Sequence, residues 1–289
     1  MPELPEVEVV KKSLTKSIKN TIIKKIIINT DKLRYKIDKI TFKKLNGSRI
    51  TSIYRRSKYL FICLDCEKTL LVHLGMTGKF IILTKNNLRL KTSFYHNTSK
   101  KDDKHNHIYF YFKNDLKLIY NDIRKFGFIK IIKTKNILKN KHVIFLGPEP
   151  LTKKFNEIYF KSYIKRKEQK KIKDLLMDQK FVSGLGNIYV NEILFSSKIS
   201  PIKKIKDLST PEIKKIIKFT KIILKKSIKE GGSSIKNFSN SYGSQGKFQQ
   251  FFNVYGKEGE KCTKKNCKRL IKKITVSNRS SFFCDKCQK

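Results

Sequence analysis

The chain opens Met1-Pro2-Glu3-Leu4-Pro5-Glu6-Val7-Glu8. Removal of Met1, which a proline in second place permits, leaves a free secondary amine on Pro2, with carboxylates close by on Glu3 and Glu6. An amine attacks carbonyl-like carbon and forms Schiff bases. A terminal amine also has a reference pKa near about 8, below that of lysine, so part of it is unprotonated at neutral pH. The same residues describe an ordinary helix start. Prolines are tolerated in a first turn, and Glu3, Glu6 and Glu8 sit where a helix dipole favours anions. Val7, Val10, Leu14 and Ile18 make one apolar stripe. Taken alone, the stretch reads as a plain helix.

A second chemistry lies at the other end. Cys262 and Cys267 have four residues between them, Cys284 and Cys287 have two, and sixteen separate the pairs. Two cysteine pairs on tight turns offer the four thiolates that structural zinc prefers, and so short a tail of low apolar content needs a metal staple. Cys63 and Cys66 also read C-x-x-C but have no second pair nearby; Cys63, inside an apolar run, is expected in the core. Between the zinc pairs, Arg279 stands among Ser277, Asn278, Ser280 and Ser281, a setting that suits phosphate. Gly184 and Gly186 permit tight turns, and Asn187 is placed to cap a helix whose N–H groups could hold a phosphate, with Lys173 and Lys180 near in sequence. Met76 lies in a turn bordered by Gly75 and Gly78, and Arg124 and Phe126 lie at the tip of another. A long apolar side chain, a guanidinium and an aromatic on loops can fill the gap left by an extruded base. Lys58, in Arg55-Arg56-Ser57-Lys58-Tyr59, is one base among many.

The elements that must position these groups fall into two styles. Short β-branched or aromatic runs at 22–28, 50–54, 59–64, 70–74, 79–83, 108–112, 116–120 and 126–132 predict an antiparallel sandwich or barrel. The polar stretch 85–107 reads as a surface loop. Beyond Leu146-Gly147-Pro148-Glu149-Pro150-Leu151 the periods become helical, over 155–164, 170–176, 188–195 and 211–228, with Thr210 as the cap of the last. The domains expected are 1–145 (sheet domain with N-terminal helix), a linker at 146–152, a helical domain at 153–235, a loop and connection at 236–256 and a zinc ribbon at 257–289.

Lys and Arg total 67 against 23 Asp and Glu over 289 residues, a formal charge of +44. The absence of Trp and the wealth of Lys, Ile and Asn point to biased codon usage as part of that excess. Self-repulsion on this scale still calls for a polyanion, and nucleic acid is the first candidate. No apolar run is long enough to span a bilayer and the N-terminus is acidic where a signal peptide is basic, so a soluble intracellular protein without membrane partners is expected.

Together these segments resemble the bacterial formamidopyrimidine-DNA glycosylases. The resemblance runs from Pro2 to Lys289, on the N-terminal motif, His73-Leu74-Gly75-Met76, Arg124-Lys125-Phe126-Gly127, the 146–151 block, Gly186-Asn187-Ile188-Tyr189, Gly231-Gly232-Ser233-Ser234, Val254-Tyr255-Gly256 and the four cysteines. It implies an α+β multidomain fold: an antiparallel β-sandwich with an N-terminal helix, a helix-two-turn-helix domain over about 165–187 and the following helix, and a ribbon holding one structural zinc ion on Cys262, Cys267, Cys284 and Cys287. It implies a cytoplasmic monomer that binds duplex DNA containing oxidised purines. The residue roles it implies are Pro2 as nucleophile at C1′, Glu3 as the acid, Lys58 for β-elimination and Arg279 for δ-elimination. Met76, Arg124 and Phe126 match the trio inserted into the duplex; His105, Arg124, Lys173 and Asn187 match DNA-contacting positions; the loop 233–246 resembles one that closes over an extruded 8-oxoguanine. Two departures stand out: the four-residue spacing of the first cysteine pair, and Glu168 where many relatives carry a DNA-touching lysine. An endonuclease VIII-type enzyme for oxidised pyrimidines, or a non-catalytic DNA-binding relative, shares parts of the pattern.

Overall fold

The computed structural model describes residues 1–86, 89–90, 100–233 and 248–289. The chain divides into two compact units, Met1–Ile144 with Glu230–Gln249, and Phe145–Lys229 with Gln250–Lys289.

In the first unit the helix α1 spans Leu4–Ile18, and the whole predicted stripe of Val7, Val10, Leu14 and Ile18 is buried on one face. Its start is a capping box: the Glu3 carboxylate accepts from the Glu6 N–H while Glu6 Oε2 accepts from the Glu3 N–H at 2.8 Å. Strands follow as β1 (Ile23–Ile28), then after the one-and-a-half-turn helix α2 (Lys39–Lys43), β2 (Ile50–Arg56), β3 (Tyr59–Leu64), β4 (Lys68–His73), β5 (Lys79–Leu83), β6 (Arg89–Leu90), β7 (Asn106–Phe112), β8 (Lys117–Asn121) and β9 (Phe128–Lys133). They form two antiparallel sheets, β1-β7-β8-β5-β6 and β2-β3-β4-β9. Side chains of both sheets and of α1 share one core, including Val10, Leu14, Ile26, Leu60, Phe80 and Phe110. The expected sandwich is present.

Two bulges explain an awkward feature of the sequence. Ile23 and Ile26, and likewise Ile50 and Ile53, are buried at a spacing of three, which suits a helix better than a strand. The register shifts between Ile23 and Lys25 and between Ile50 and Ser52, and each extra residue turns the second isoleucine back to the core. The stretch expected as a loop over 85–107 contains β6 and a 3-10 turn, Lys100–His105; positions 87–88 and 91–99 lie outside the described residues, as does all of the 233–246 loop beyond Ser233.

The second unit contains α3 (Glu157–Ile164), α4 (Ile172–Met177), α5 (Asn187–Ser197), α6 (Thr210–Lys229) and the hairpin β10 (Lys272–Val276) and β11 (Arg279–Phe283). Nearly all of α5 is buried, its Asn191 and Glu192 included, which places it at the centre of the unit. The cap of α6 is Ser209, not Thr210 as expected: Ser209 Oγ accepts from the Glu212 N–H at 3.4 Å, and the Ser209 N–H donates to Glu212 Oε2 at 2.9 Å. Ser209-x-x-Glu212 is a capping box one residue earlier, and Thr210 is the first helical residue. Among the described residues no helix is long and apolar enough to cross a membrane.

Candidate active site

The start of α1 brings the N-terminal motif into a buried pocket of charge. Pro2, Glu3 and Glu6 are all buried, while Met1 keeps 47% of its surface. Burial lowers the pKa of the chain's terminal amine below 8.0; Glu3 and Glu6 oppose this, and Lys58 and Arg124 add to it. The Met1 amine lies one residue ahead of the buried Pro2. Glu6 also reaches the head of the 233–246 segment: its Oε1 accepts from the Ser233 N–H at 2.8 Å and from Ser233 Oγ at 3.0 Å. Gly232 lies against it with φ +85°, and an added Cβ would meet Glu6 Oε1 at 3.1 Å. Only a residue without a side chain fits there comfortably.

Lys58 sits in the two-residue turn between β2 and β3, where Ser57 has φ +56° and Arg56 pairs with Tyr59. It is buried, and its charge is felt both at the terminal amine and at His73. The turn is braced from two sides: Arg55 donates to the Ser57 carbonyl at 2.8 Å and to Glu8 Oε2 of α1 at 2.8 Å. His73, at the end of β4, accepts from the Gly75 N–H through Nδ1 at 3.1 Å. Burial, with Lys58 and Arg34 adding to it, pushes the pKa of His73 down to about 4, so the ring is neutral and free to accept.

The loops after β4 and after β8 carry Met76, Arg124 and Phe126, and they lie together. All three side chains are exposed. Arg124 Nη1 stands 3.2 Å from Met76 Sδ, and its guanidinium lies over the Phe126 ring, 4.5 Å from the centroid. His105 ends the 3-10 turn leading into β7; it is half-buried and its carbonyl accepts from the Asp122 N–H at 3.1 Å.

In the second unit the positions singled out by sequence gather around the hairpin. Arg279 is exposed at the first position of β11, paired with Val276 across Ser277 and Asn278. Both turn residues have positive φ, +48° and +60°, the twist of a type I′ hairpin. Lys173 is buried, and its ammonium donates to the Ser280 carbonyl at 2.9 Å and to Ser281 Oγ at 2.6 Å. Burial, with Arg279 adding to it and Asp174 opposing, lowers its pKa to about 8. Asn187 is the first residue of α5 and does not cap it; Gly186 holds the cap position without a side-chain bond, and Asn187 Nδ2 donates to the same Ser280 carbonyl at 2.9 Å. Asn191 adds a bond from the Phe282 N–H at 2.7 Å. Three side chains of α4 and α5 thus fix the strand that begins with Arg279.

The four tail cysteines converge, with sulfurs all within 4.8 Å of one another. Cys262 and Cys287 stand 3.8 Å apart, Cys267 and Cys284 3.7 Å. A tetrahedral zinc with bonds of about 2.3 Å places its sulfurs roughly 3.8 Å apart, whereas a disulfide needs about 2.05 Å. The donor set fits one structural zinc ion, and the wider first knuckle does not spoil it. Cys63 is a buried core residue, as expected.

Sequence reasoning missed two buried carboxylates. Glu192 on α5 accepts from the N–H groups of Asn253, Val254 and Tyr255 at 2.9–3.0 Å, fixing the chain that leads to the ribbon. Asp122, fully buried, bonds to Thr77 and Gly127. A Glu among apolar neighbours in a helix pattern was the available signal for the first. For the second there was none, since its Thr77 partner lies in another loop.

The chain matches the formamidopyrimidine-DNA glycosylase N-terminal domain over residues 1–129, the H2TH domain of the same enzymes over 146–239 and the zinc finger found in FPG and IleRS over 259–289. It is 38% identical to a formamidopyrimidine-DNA glycosylase of Roseobacter denitrificans and 40% identical to one of Rickettsia bellii, each over the full length of both chains. Among solved structures it is similar to a Lactococcus lactis FPG mutant in complex with DNA containing Fapy-dG (TM-score 0.85, 38% identity, all of both chains). A complex of the Lactococcus lactis protein with DNA containing an abasic site matches as well (TM-score 0.85, 38% identity, 99% of each chain).

Proposed function

Since the chain belongs to the formamidopyrimidine-DNA glycosylase family, we propose that it excises oxidised purines through an amine on Pro2 and then cuts the strand. It is a DNA glycosylase and AP lyase of base excision repair, acting on duplex DNA in the bacterial cytoplasm at the nucleoid. The observation that supports the Pro2 assignment is the burial of Pro2 at the head of α1 together with the carboxylates of Glu3 and Glu6, where burial also lowers the pKa of the Met1 amine one residue ahead.

With Met1 removed, the Pro2 nitrogen attacks C1′ of the damaged nucleotide as the bond from C1′ to the base breaks. Glu3 supplies a proton as the base leaves or the sugar ring opens. The resulting iminium acidifies the 2′ proton; its loss expels the 3′ phosphate, and a second elimination expels the 5′ phosphate. Lys58 and Arg279 are the cations assigned to the two phosphates, the first in a hairpin turn and the second on the strand that leaves one. Met76, Arg124 and Phe126 fill the space of the extruded base. His105, Lys173 and Asn187 belong to the DNA-gripping set, the last two by holding the Arg279 strand in place. Zinc takes no part in the chemistry; it shapes the ribbon. Contacts to phosphates position without reading sequence, as a lesion searcher requires.

Borohydride trapping on duplexes containing 8-oxoguanine tests this reading, with intact-mass measurement of the same sample. A covalent adduct on protein lacking Met1, abolished in Pro2→Gly protein with a blocked amine, is expected. Full activity with Met1 retained would overturn the Pro2 assignment. A strong preference for thymine glycol would move the enzyme to the oxidised-pyrimidine class, and absence of any adduct would leave a DNA-binding protein only.

A further inference from the structure

The Asp122 carboxylate, buried away from the surface, bonds to both of the loops that carry Met76, Arg124 and Phe126. It is fully buried at the end of β8. Its Oδ1 accepts from Thr77 Oγ at 2.5 Å, one residue after Met76, and its Oδ2 accepts from the Gly127 N–H at 2.8 Å, one residue after Phe126. Thr77 extends the bridge, because its hydroxyl oxygen also accepts from the Arg124 N–H at 3.0 Å. The Asp122 carbonyl accepts from the Lys125 N–H at 3.3 Å and bonds His107 Nε2 at 2.9 Å. The loops touch backbone to backbone: a Cβ on Gly75 would come within 2.4 Å of the Gly127 nitrogen.

We propose that Asp122 and Thr77 are positioning residues that join the Met76 loop to the Arg124–Phe126 loop, so that the three side chains enter the duplex as one preset wedge. The inference rests on the insertion role given to those side chains above. Inserted groups act while a base is being unstacked, and freedom between two separate loops at that moment lowers the rate of extrusion. A wedge fixed beforehand avoids that loss. The neutral ring of His73, bonded to the Gly75 N–H, supports the same turn from its other side.

Thr77→Val removes both hydroxyl bonds at nearly constant volume, and Thr77→Ser restores them. The test compares, at matched protein stability, excision from an 8-oxoguanine:C duplex with cleavage of a preformed abasic site, where no stacked base has to be removed. A 2-aminopurine beside the lesion reports the insertion step by stopped-flow fluorescence. The expected result for Thr77→Val is a loss of about tenfold in excision and in the fluorescence phase, a much smaller loss at the abasic site, and recovery in Thr77→Ser. Asp122→Asn, which keeps the shape and removes the charge, is expected to show the same substrate split. Wild-type rates in Thr77→Val, equal losses on both substrates, or failure of serine to rescue would each overturn the inference while leaving the enzyme's assignment intact. A wild-type protein without 8-oxoguanine excision would overturn both.

Discussion

At the scale of single residues, the sharpest expectations concern protons. Glu3→Gln keeps an acceptor for the helix start but has no acid to give, so base release is expected to fall by about a hundredfold or more, read by single-turnover excision. His73 gives a stability test. Its folded pKa of about 4 lies below the ordinary 6.5, so its contribution is complete above pH 6.5 and is lost as pH falls toward 4. Thermal melts of His73→Gln against wild type should diverge less in that window as the acid is approached. The four cysteines were legible in the sequence because type and spacing alone define what they can do, whereas Pro2 and Glu3 read alone as a plain helix start and took their roles only from the resemblance. Lys173 and Asn187 were legible as important but not as to how: their partner, the Ser280 carbonyl, lies about a hundred residues away. Asp122 was invisible because its Thr77 partner sits in a different loop, 45 residues earlier.

At the scale of elements, the pattern of short apolar runs located every strand of the sandwich among the described residues except the two-residue β6. The bulges in β1 and β2 were hidden, since a spacing of three between isoleucines is ambiguous until a partner strand is known. The helix α2, only five residues long, has no room for a period and rests on Asp38, whose carboxylate accepts from the Thr41 N–H at 3.0 Å. The cap of α6 was misplaced by one residue because Ser209 and Thr210 both suit the position; Glu212, three residues after Ser209, was the deciding signal. Ser209→Ala is therefore expected to lower stability by about 1 kcal/mol, and Thr210→Ala by much less, in denaturant titration.

At the scale of the whole molecule, charge and metal decide behaviour. With +44 formal charges, affinity for duplex DNA should fall steeply with salt, with a log–log slope of about −0.9 for each phosphate neutralised. A flat response in a filter-binding series would contradict phosphate-led binding. The ribbon's own apolar cluster is small, made by Cys262, Ile271 and Cys284 with Phe195 and Val254. Stripping zinc with a chelator should release one ion per chain and unfold the segment that presents Arg279, abolishing strand cleavage. Far-ultraviolet spectra and a zinc-release dye read the two effects together.

The bond between Glu6 and Ser233 joins positions 227 residues apart within one unit, whose chain is interrupted by Phe145–Lys229. During synthesis, the ribosome makes the beginning of this unit long before its closing piece. At about 5–20 residues per second, that interval lasts roughly 10 to 45 seconds. The Glu6 carboxylate is left without its Ser233 partner for that time, so the head of α1 must hold on the capping box and the sheet core alone until the distant clasp arrives.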